Sequence, residues 1–201
     1  MGRAQFDHES FLGAARDLIA ERGPEAVTID SVAERIGAPK GSFYYRFASR
    51  DALLGEVWLK TVLAYQEGFV AAIEAGDGLQ AALHTPAWAR RHLDDARLLM
   101  LYSRHDFVRG DWPAALRRAV ADQAQRFETC LRTFARGAFG RVGRAEMRRA
   151  IFVLAEVPLA AVKPHLERRE PPPPLVDELI TKTYRAIVGG GADAQIGRAH
   201  V

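Results

Sequence analysis

Five consecutive large residues, Phe43-Tyr44-Tyr45-Arg46-Phe47, constrain this chain more than any other stretch of its sequence. Neighbouring side chains on a helix point in different directions, so the members of such a run cannot all face a core. Phe43 and Phe47 lie four residues apart and share one helix face, which we predict to be buried. The residues between them, Tyr44, Tyr45 and Arg46, are then expected on the surface of a short helix.

A second short helix and a tight turn precede this run. Apolar residues recur at helical spacing over 29–36 and predict a helix there, with Thr28 as its N-cap. Gly37-Ala38-Pro39 predicts a turn, because glycine readily adopts left-handed backbone angles and proline fits the first turn of the next helix. Two short helices joined in this way are typical of a helix-turn-helix.

The remaining sequence predicts further helices, since alternating strand patterns with hairpin dipeptides are absent. A first helix carries Phe11 to Ile19 and stops at Gly23-Pro24, and Ser49 caps a fourth helix that begins near Asp51. The stretch Pro171–Pro174 predicts a stiff extended linker. We therefore predict an all-α fold. Its further helices are expected near 79–93, 94–105, 113–137, 144–162 and 175–188.

Composition and charge narrow the function classes. No run of about 18 apolar residues is present, which argues against a membrane helix, and the single cysteine, Cys130, excludes an internal disulfide and a cysteine-based zinc site. We therefore expect a cytoplasmic protein with no membrane partner. Residues 1–50 hold seven basic and seven acidic residues, whereas 36–50 hold three bases and no acid. This basic edge on a neutral region suits a surface that docks on nucleic acid.

The order and spacing of core, turn and surface residues closely resemble the TetR family of repressors. The matching stretches are Ala14–Gly23, Thr28–Gly37, Lys40–Phe47 and Ser49–Leu54. The resemblance implies that residues 1–50 form a TetR-type helix-turn-helix DNA-binding domain. It implies that residues 51–190 form a helical domain for ligand sensing and dimerisation.

The resemblance also implies roles for individual residues. Thr28 would cap the second helix and contact a phosphate, and Arg50 would contact a phosphate at the start of the fourth helix. The residues expected in or beside the major groove, or on the DNA backbone, are Lys40, Gly41, Ser42, Tyr44, Tyr45 and Arg46. Two departures are noted: Arg46 stands where the family often has histidine, and Pro39 where a capping serine or threonine is common.

Two further sets of residues follow from the implied sensing and dimerisation domain. Apolar stripes predict a dimer interface at Met147, Ile151, Leu154, Leu175, Leu179, Ile180 and Ile187. Aromatic and methionine side chains predict a ligand pocket at Trp88, Met100, Tyr102, Phe107, Phe127, Phe134 and Phe152. For both sets, ordinary core packing is the alternative.

The function implied is a ligand-responsive repressor that binds a palindromic, double-stranded operator as a homodimer, with an effector of unknown identity. Activation in place of repression stays open, as does a DNA-binding adaptor that senses no ligand. A helical enzyme is the third alternative, but no convergent acid, base or nucleophile set is evident, so we expect no enzyme activity and no cofactor. Histidine and aspartate residues at 84, 92, 94, 95, 105 and 106 lack metal-binding spacing, so we expect solvated helix faces and no metal site.

The C-terminal residues are unusual. Gln195 to Val201 can be encoded by CAG ATC GGA AGA GCA CAC GTC, and the part from ATC onward matches a common sequencing adapter. We therefore predict that residues 191–201 are a disordered tail whose end is an adapter-derived artefact. The alternative is a genuine disordered tail.

Overall fold

The computed structural model describes residues 6–107 and 112–196, which fold into helices joined by short turns. The predicted all-α class is confirmed, since no strand occurs within these two ranges. A 3-10 turn (Pro24–Ala26) follows the first helix, and a π-helical segment (Phe152–Glu156) joins the ninth helix to the tenth. The α-helices are α1 His8–Arg22, α2 Ile29–Ile36, α3 Gly41–Tyr44, α4 Arg50–Glu74, α5 Gly78–Arg91, α6 Leu93–Leu101, α7 Arg104–Phe107, α8 Ala114–Phe139, α9 Arg144–Ile151, α10 Val157–Glu167 and α11 Leu175–Ile196.

These helices form two compact units. The first unit comprises residues 1–63 and 94–122, and the second comprises residues 64–93 and 123–201. Helices α4 and α8 each contribute residues to both units. The first unit thus contains the helix-turn-helix region together with the start of α4, while the functional boundary near residue 50 stays a prediction.

The first unit is built on aromatic packing between α1 and the helix-turn-helix. Phe11, Phe43 and Phe47 are buried, with ring centroids 5.4–6.0 Å apart. Leu53 and Leu54 at the start of α4 complete this core. Buried aromatic rings carry large apolar areas, so these contacts hold α3 firmly against the unit.

Local capping fixes where the short helices begin and end. The Thr28 side chain accepts a hydrogen bond from the Ser31 backbone N–H at 3.0 Å, which confirms its predicted capping role. Gly37 has φ of 67°, the left-handed conformation that the predicted turn needs. Ser49 accepts from the Ala52 N–H at 3.0 Å and so caps α4, as expected.

The second unit packs α5 against α10 and α11. Leu154, Leu166 and Ile180 are fully buried in it. Arg90 on α5 donates to the Pro172 carbonyl at 2.7 Å and thereby anchors the proline linker, which is non-helical over 171–173 as predicted.

Two helices extend well beyond the residues where we expected them to end. The helix expected to end at 162 instead ends at Glu167, with Pro164 inside its last turns and a π-helical segment before Pro158. Prolines and π-helical segments bend a helix locally without having to end it. Helix α11 runs to Ile196, past the glycine run where we expected order to end, since glycine weakens a helix by only about 1 kcal/mol. Residues 197–201 of the predicted tail lie outside the described residues.

Candidate DNA-binding surface

Helix α3 and the turn that continues it, together residues 41–47, have one buried and one exposed face, as the sequence predicts. Phe43 is fully buried and Phe47 is 2% exposed, while Tyr44 and Tyr45 are 64% and 88% exposed. A tyrosine that is exposed to this extent presents a hydrogen-bonding hydroxyl and a flat ring to solvent. Such groups contact phosphate oxygens and sugars in protein–DNA interfaces.

The two small residues at the start of α3, Gly41 and Ser42, differ in what the fold itself requires of them. Ser42 Oγ donates to the Pro39 carbonyl at 2.6 Å, so its hydroxyl proton is already used. Gly41 is exposed, and a Cβ built on it would meet no atom within 4 Å. The fold itself therefore does not require glycine here, and the small residue leaves room for something outside the chain.

Thr28 is exposed at the start of α2 beside this surface. Its Oγ1 is occupied as an acceptor by the Ser31 N–H, but a hydroxyl also has a proton to donate. The Thr28 N–H in turn donates to Ser31 Oγ at 2.9 Å, which completes a reciprocal capping box. The predicted phosphate contact of Thr28 is compatible with this geometry and stays a prediction.

The three cations that the sequence places in residues 36–50 all have intramolecular partners. Lys40 Nζ lies 2.7 Å from Asp30 on α2, and both side chains are about two-thirds exposed. Arg46 donates to the Ser42 carbonyl at 2.8 Å and lies over the Phe11 and Tyr45 rings, at 5.6 and 5.8 Å from their centroids. The positive field of this edge is therefore weaker than its composition suggests. Sequence reasoning missed the part played by Asp30, which is separated from Lys40 by ten residues.

Arg50 has several partners within the chain, and its expected phosphate contact stays a prediction. Its guanidinium is 28% exposed and turns toward the connection between α1 and α2. Nε donates to the Val27 carbonyl at 2.5 Å, Nη2 donates to the Pro24 carbonyl at 2.7 Å, and Nη1 lies 3.3 Å from Asp51. No sequence signal identified these carbonyl acceptors, because backbone groups carry no residue-specific pattern.

The predicted pocket residues are divided between the two units. Met100, Tyr102 and Phe107 belong to the first unit, and the other four belong to the second. Within the second unit, Trp88 and Phe134 are buried, whereas Phe152 is 39% exposed. The structure therefore does not bring the seven side chains together within one unit, and their role as a pocket stays a prediction.

A cavity of about 270 Å³ lies in the second unit, between the second half of α4 and the middle of α8. Burial, aided by the nearby negative charge of Glu74, raises the pKa of the Cys130 thiol in its wall to about 11, so the thiol is protonated at neutral pH. Sequence reasoning missed this cavity, since no pattern links the two helices. Its lining is Val70, Ile73, Glu74, Gln125, Arg126, Thr129, Cys130 and Thr133.

The predicted interface residues also separate into two groups. Leu154 and Ile180 are fully buried in the core of the second unit, while Leu175 and Leu179 are 58% and 51% exposed. Met147, Ile151 and Ile187 have intermediate exposure. Among the described residues of the second unit, two further large apolar residues that were not predicted for this role are exposed: Phe152 at 39% and Leu159 at 38%.

The histidines and aspartates considered as metal ligands are scattered. His84 is 8% exposed, so its expected place on a solvated helix face is wrong, and the side chain of His105 lies outside the described residues. Asp95 pairs with Arg16 at 3.6 Å. Within the described part of the chain, no three His, Cys, Asp or Glu side chains are grouped to hold a metal ion. No described helix is both long enough and apolar enough to cross a bilayer.

The capped α2, the left-handed turn at Gly37 and the two-faced α3 define the class of the first unit: a helix-turn-helix with an exposed reading surface. Residues 11–57 match the family model of bacterial regulatory proteins, tetR family. Over 59 residues the chain is 36% identical to the HTH-type transcriptional regulator YdeS of Bacillus subtilis (strain 168). That alignment covers 29% of this chain and only 30% of YdeS.

Two solved structures share the fold along almost the whole chain. The transcriptional regulator FadR from Bacillus subtilis, solved with stearoyl-CoA, gives a TM-score of 0.63 at 13% identity and covers 92% of this chain and 99% of its own. A protein from Mesorhizobium loti assigned to the TetR family gives 0.58 at 14% identity, covering 96% and 98%. Residues 11–57 thus resemble the helix-turn-helix of the tetR family, and the fold along the chain is similar to that of these two solved proteins.

Proposed function

We propose that this protein represses transcription as a homodimer on a palindromic operator and releases the DNA when a small molecule binds its second unit. The observation that carries the DNA-binding part is the reading surface of α3, where Tyr44 and Tyr45 are exposed above the buried Phe43. Within the chain, Tyr44 makes an edge contact with the Phe43 ring and Tyr45 lies under Arg46, so most of both side chains stays in solvent. A partner that offers phosphates and base edges suits these exposed groups.

Exposed leucines in the second unit support a homodimer. Leu159 on α10 and Leu175 and Leu179 on α11 are each more than a third exposed, although leucine in a monomer is favourably buried. Helices α10 and α11 also pack against each other. A second copy of the same face would cover these side chains through a two-fold axis, the commonest symmetry of soluble oligomers.

The cavity between α4 and α8 supports a small-molecule effector. Its volume of about 270 Å³ lies near the lower end of ligand pockets, roughly 300–1,000 Å³. Threonine, glutamine and charged residues line it together with Val70 and Ile73, so it suits a compact molecule with both apolar and hydrogen-bonding groups. FadR was solved with stearoyl-CoA, so a long-chain acyl thioester is the second ligand class to test.

The proposed response is a shift between two arrangements of the dimer. Reading successive major grooves places the two recognition helices about 34–36 Å apart. A ligand that binds better to an arrangement with a different spacing lowers the DNA-competent population. A ligand with equal affinity for both arrangements has no effect.

The test is fluorescence anisotropy of the full chain with DNA flanking its own gene and with scrambled DNA, over a salt series. We expect selective binding to the flanking DNA and a log affinity that falls steeply with log salt. Compact ligands and stearoyl-CoA are then added to the complex, and release of the DNA is expected with one class. Equal weak binding to both DNAs contradicts the operator assignment. DNA binding that no ligand changes favours regulation without a small-molecule effector.

A further inference from the structure

Arg50 holds the backbone that leads into the helix-turn-helix. Its planar guanidinium reaches from the first turn of α4 to two carbonyls, those of Pro24 and Val27, in the connection between α1 and α2. Pro24 and Val27 are themselves buried. A partly buried arginine with these acceptors at 2.5–2.7 Å has its charge satisfied by the protein, and charge-assisted hydrogen bonds of this kind are strong.

The Val27 carbonyl belongs to the same peptide group as the Thr28 N–H. Arg50 Nε binds the carbonyl end of this peptide, and Ser31 Oγ accepts from its N–H end at 2.9 Å. Because a peptide group is planar, holding both ends fixes its orientation. That orientation sets the direction in which the Thr28 side chain leaves the start of α2.

We propose that Arg50 is a positioning residue for operator binding, which acts by fixing the Val27–Thr28 peptide and hence the start of α2, and not by neutralising a phosphate. This inference rests on the proposed binding of operator DNA by the first unit. It assigns Arg50 a role different from the phosphate contact that the family resemblance implies.

The two roles predict different behaviour for a lysine at this position. Lysine keeps the positive charge, but its single ammonium replaces the planar fork that reaches both carbonyls. If Arg50 positions the backbone, Arg50→Lys and Arg50→Gln both weaken binding. If Arg50 neutralises a phosphate, Arg50→Lys retains most of the affinity.

Salt dependence separates the two roles further. Each phosphate contact contributes about 0.9 to the slope of log affinity against log salt. We expect Arg50→Lys and Arg50→Gln to weaken operator binding about tenfold, the effect of losing one charged hydrogen bond, with the wild-type slope retained. The proposal is overturned if two results occur together. The slope falls by about 0.9 in Arg50→Gln, as expected for one lost phosphate contact, and Arg50→Lys keeps an affinity near that of the wild type.

Hydrogen exchange of the free full-length protein tests, without DNA, whether Arg50 holds the Val27–Thr28 peptide. The Thr28 amide is expected to exchange faster in both Arg50 variants than in the wild type, because its peptide is no longer held at the carbonyl end. Arg22→Gln, which removes an exposed charge at the end of α1, serves as the matched control and should leave this amide unchanged. An unchanged Thr28 amide in folded Arg50→Lys overturns the proposal.

The operator for these measurements is a duplex selected from random DNA by the wild-type protein. If the wild type selects no sequence, the proposed function fails, and the role of Arg50 in operator binding fails with it. If the wild type selects a sequence and the Arg50 variants behave as phosphate-contact variants, the proposed function stands and only the positioning role fails.

Discussion

The two surfaces with exposed large side chains differ in chemistry. On α3 the exposed residues are tyrosines, whose hydroxyls and rings suit a polar, charged partner. On α10 and α11 they are leucines, which have no hydrogen-bonding group and gain only from removal of water. The same unfavourable exposure therefore points to different partners: nucleic acid for the first surface and a second protein face for the other.

The surfaces also differ in their support. Tyr44 and Tyr45 lie next to Phe43 in the chain, and Phe43 packs against Phe47 and against Phe11 of α1. These buried contacts fix the position of the two exposed tyrosines. Leu175 and Leu179 lie in the first turns of α11, next to the proline linker that Arg90 anchors. Each surface is thus held by contacts that can be altered separately from the surface residues themselves.

The largest expected effect separates the buried from the exposed face of α3. Phe43→Ala should lower the free energy of unfolding by about 3–5 kcal/mol, because it leaves a cavity under the helix. Tyr45→Ala, the control two residues away, should change it by less than about 0.5 kcal/mol. Urea denaturation followed by circular dichroism checks both values. Equal losses in the two variants contradict the two-faced helix.

The leucine surface is tested by assembly. Leu179→Asp should weaken dimerisation roughly a hundredfold or more, since each half of a two-fold interface then buries a charge in place of an apolar side chain. Analytical ultracentrifugation over a concentration series measures this change. Lys182→Asp, a charge change at an exposed position of the same helix, should have a much smaller effect. A Leu179→Asp protein that remains dimeric removes this face from the interface.

The tyrosine surface is tested by DNA affinity without loss of stability. Tyr45→Ala should cost about 1–3 kcal/mol of operator binding, and Tyr45→Phe should cost less because it retains the ring. Anisotropy titrations give both numbers. Wild-type affinity in Tyr45→Ala would show that this exposed aromatic residue, at the C-cap of α3, does not touch the DNA.

Gly41 allows stability and DNA binding to change in opposite directions. Gly41→Ala should raise the free energy of unfolding by up to about 1 kcal/mol, because alanine favours the helix and the added Cβ meets no atom of the chain. The same Cβ should weaken operator binding if the DNA backbone approaches α3 closely. Thermal unfolding and anisotropy, measured on one preparation, give the two changes. Stronger DNA binding by Gly41→Ala would contradict the proposal that the DNA backbone approaches α3 closely.

The smallest expected effect is the change of the free energy of unfolding with pH that arises from His84 in the second unit. Burial lowers the pKa of His84, and the hydrogen bond between its Nε2 and the Tyr65 carbonyl, at 2.7 Å, offsets this only in part. The unfolded chain therefore binds a proton that the folded chain lacks, so stability falls as pH drops below about 6.5, until the folded pKa is reached.

His84→Gln should reduce this decline of stability at low pH. The reference is the wild-type protein, since His92 lies close enough to His84 to contribute to the lowering of its pKa and so cannot serve as a control. Thermal unfolding midpoints measured over a pH series provide the comparison. A decline of the same size in the His84→Gln variant would remove His84 as its cause.

The sequence predicted the first unit well because its constraints are local. Thr28, Gly37 and the spacing of Phe43 and Phe47 act over a few residues, through capping, backbone angles and helix periodicity. The caps, the turn and both buried phenylalanines are confirmed. Helix α2 has the predicted bounds, whereas α3 ends at Tyr44, before Phe47, which was expected on the same helix.

The ion pairs of the site and the burial of residues in the second unit could not be predicted from the sequence and became known only from the folded structure. The Lys40–Asp30 pair and the two carbonyls bound by Arg50 join residues 10 to 26 positions apart, and no periodic pattern reveals them. Leu154 and Leu175 were both predicted from apolar stripes as interface residues, yet Leu154 is fully buried and Leu175 is 58% exposed. Helical spacing identifies an apolar face but not what covers it.

The central claim is that α3 reads DNA, and selection from random duplexes tests it most directly. Wild-type protein and a Tyr44→Ala, Tyr45→Ala double variant are each used to select DNA, and the enriched sequences are compared. We expect the wild type to enrich a palindrome whose half-site centres are about 34–36 Å apart, and the folded double variant to lose that enrichment. Enrichment of the same sequence by both proteins, or of none by the wild type, would contradict the account.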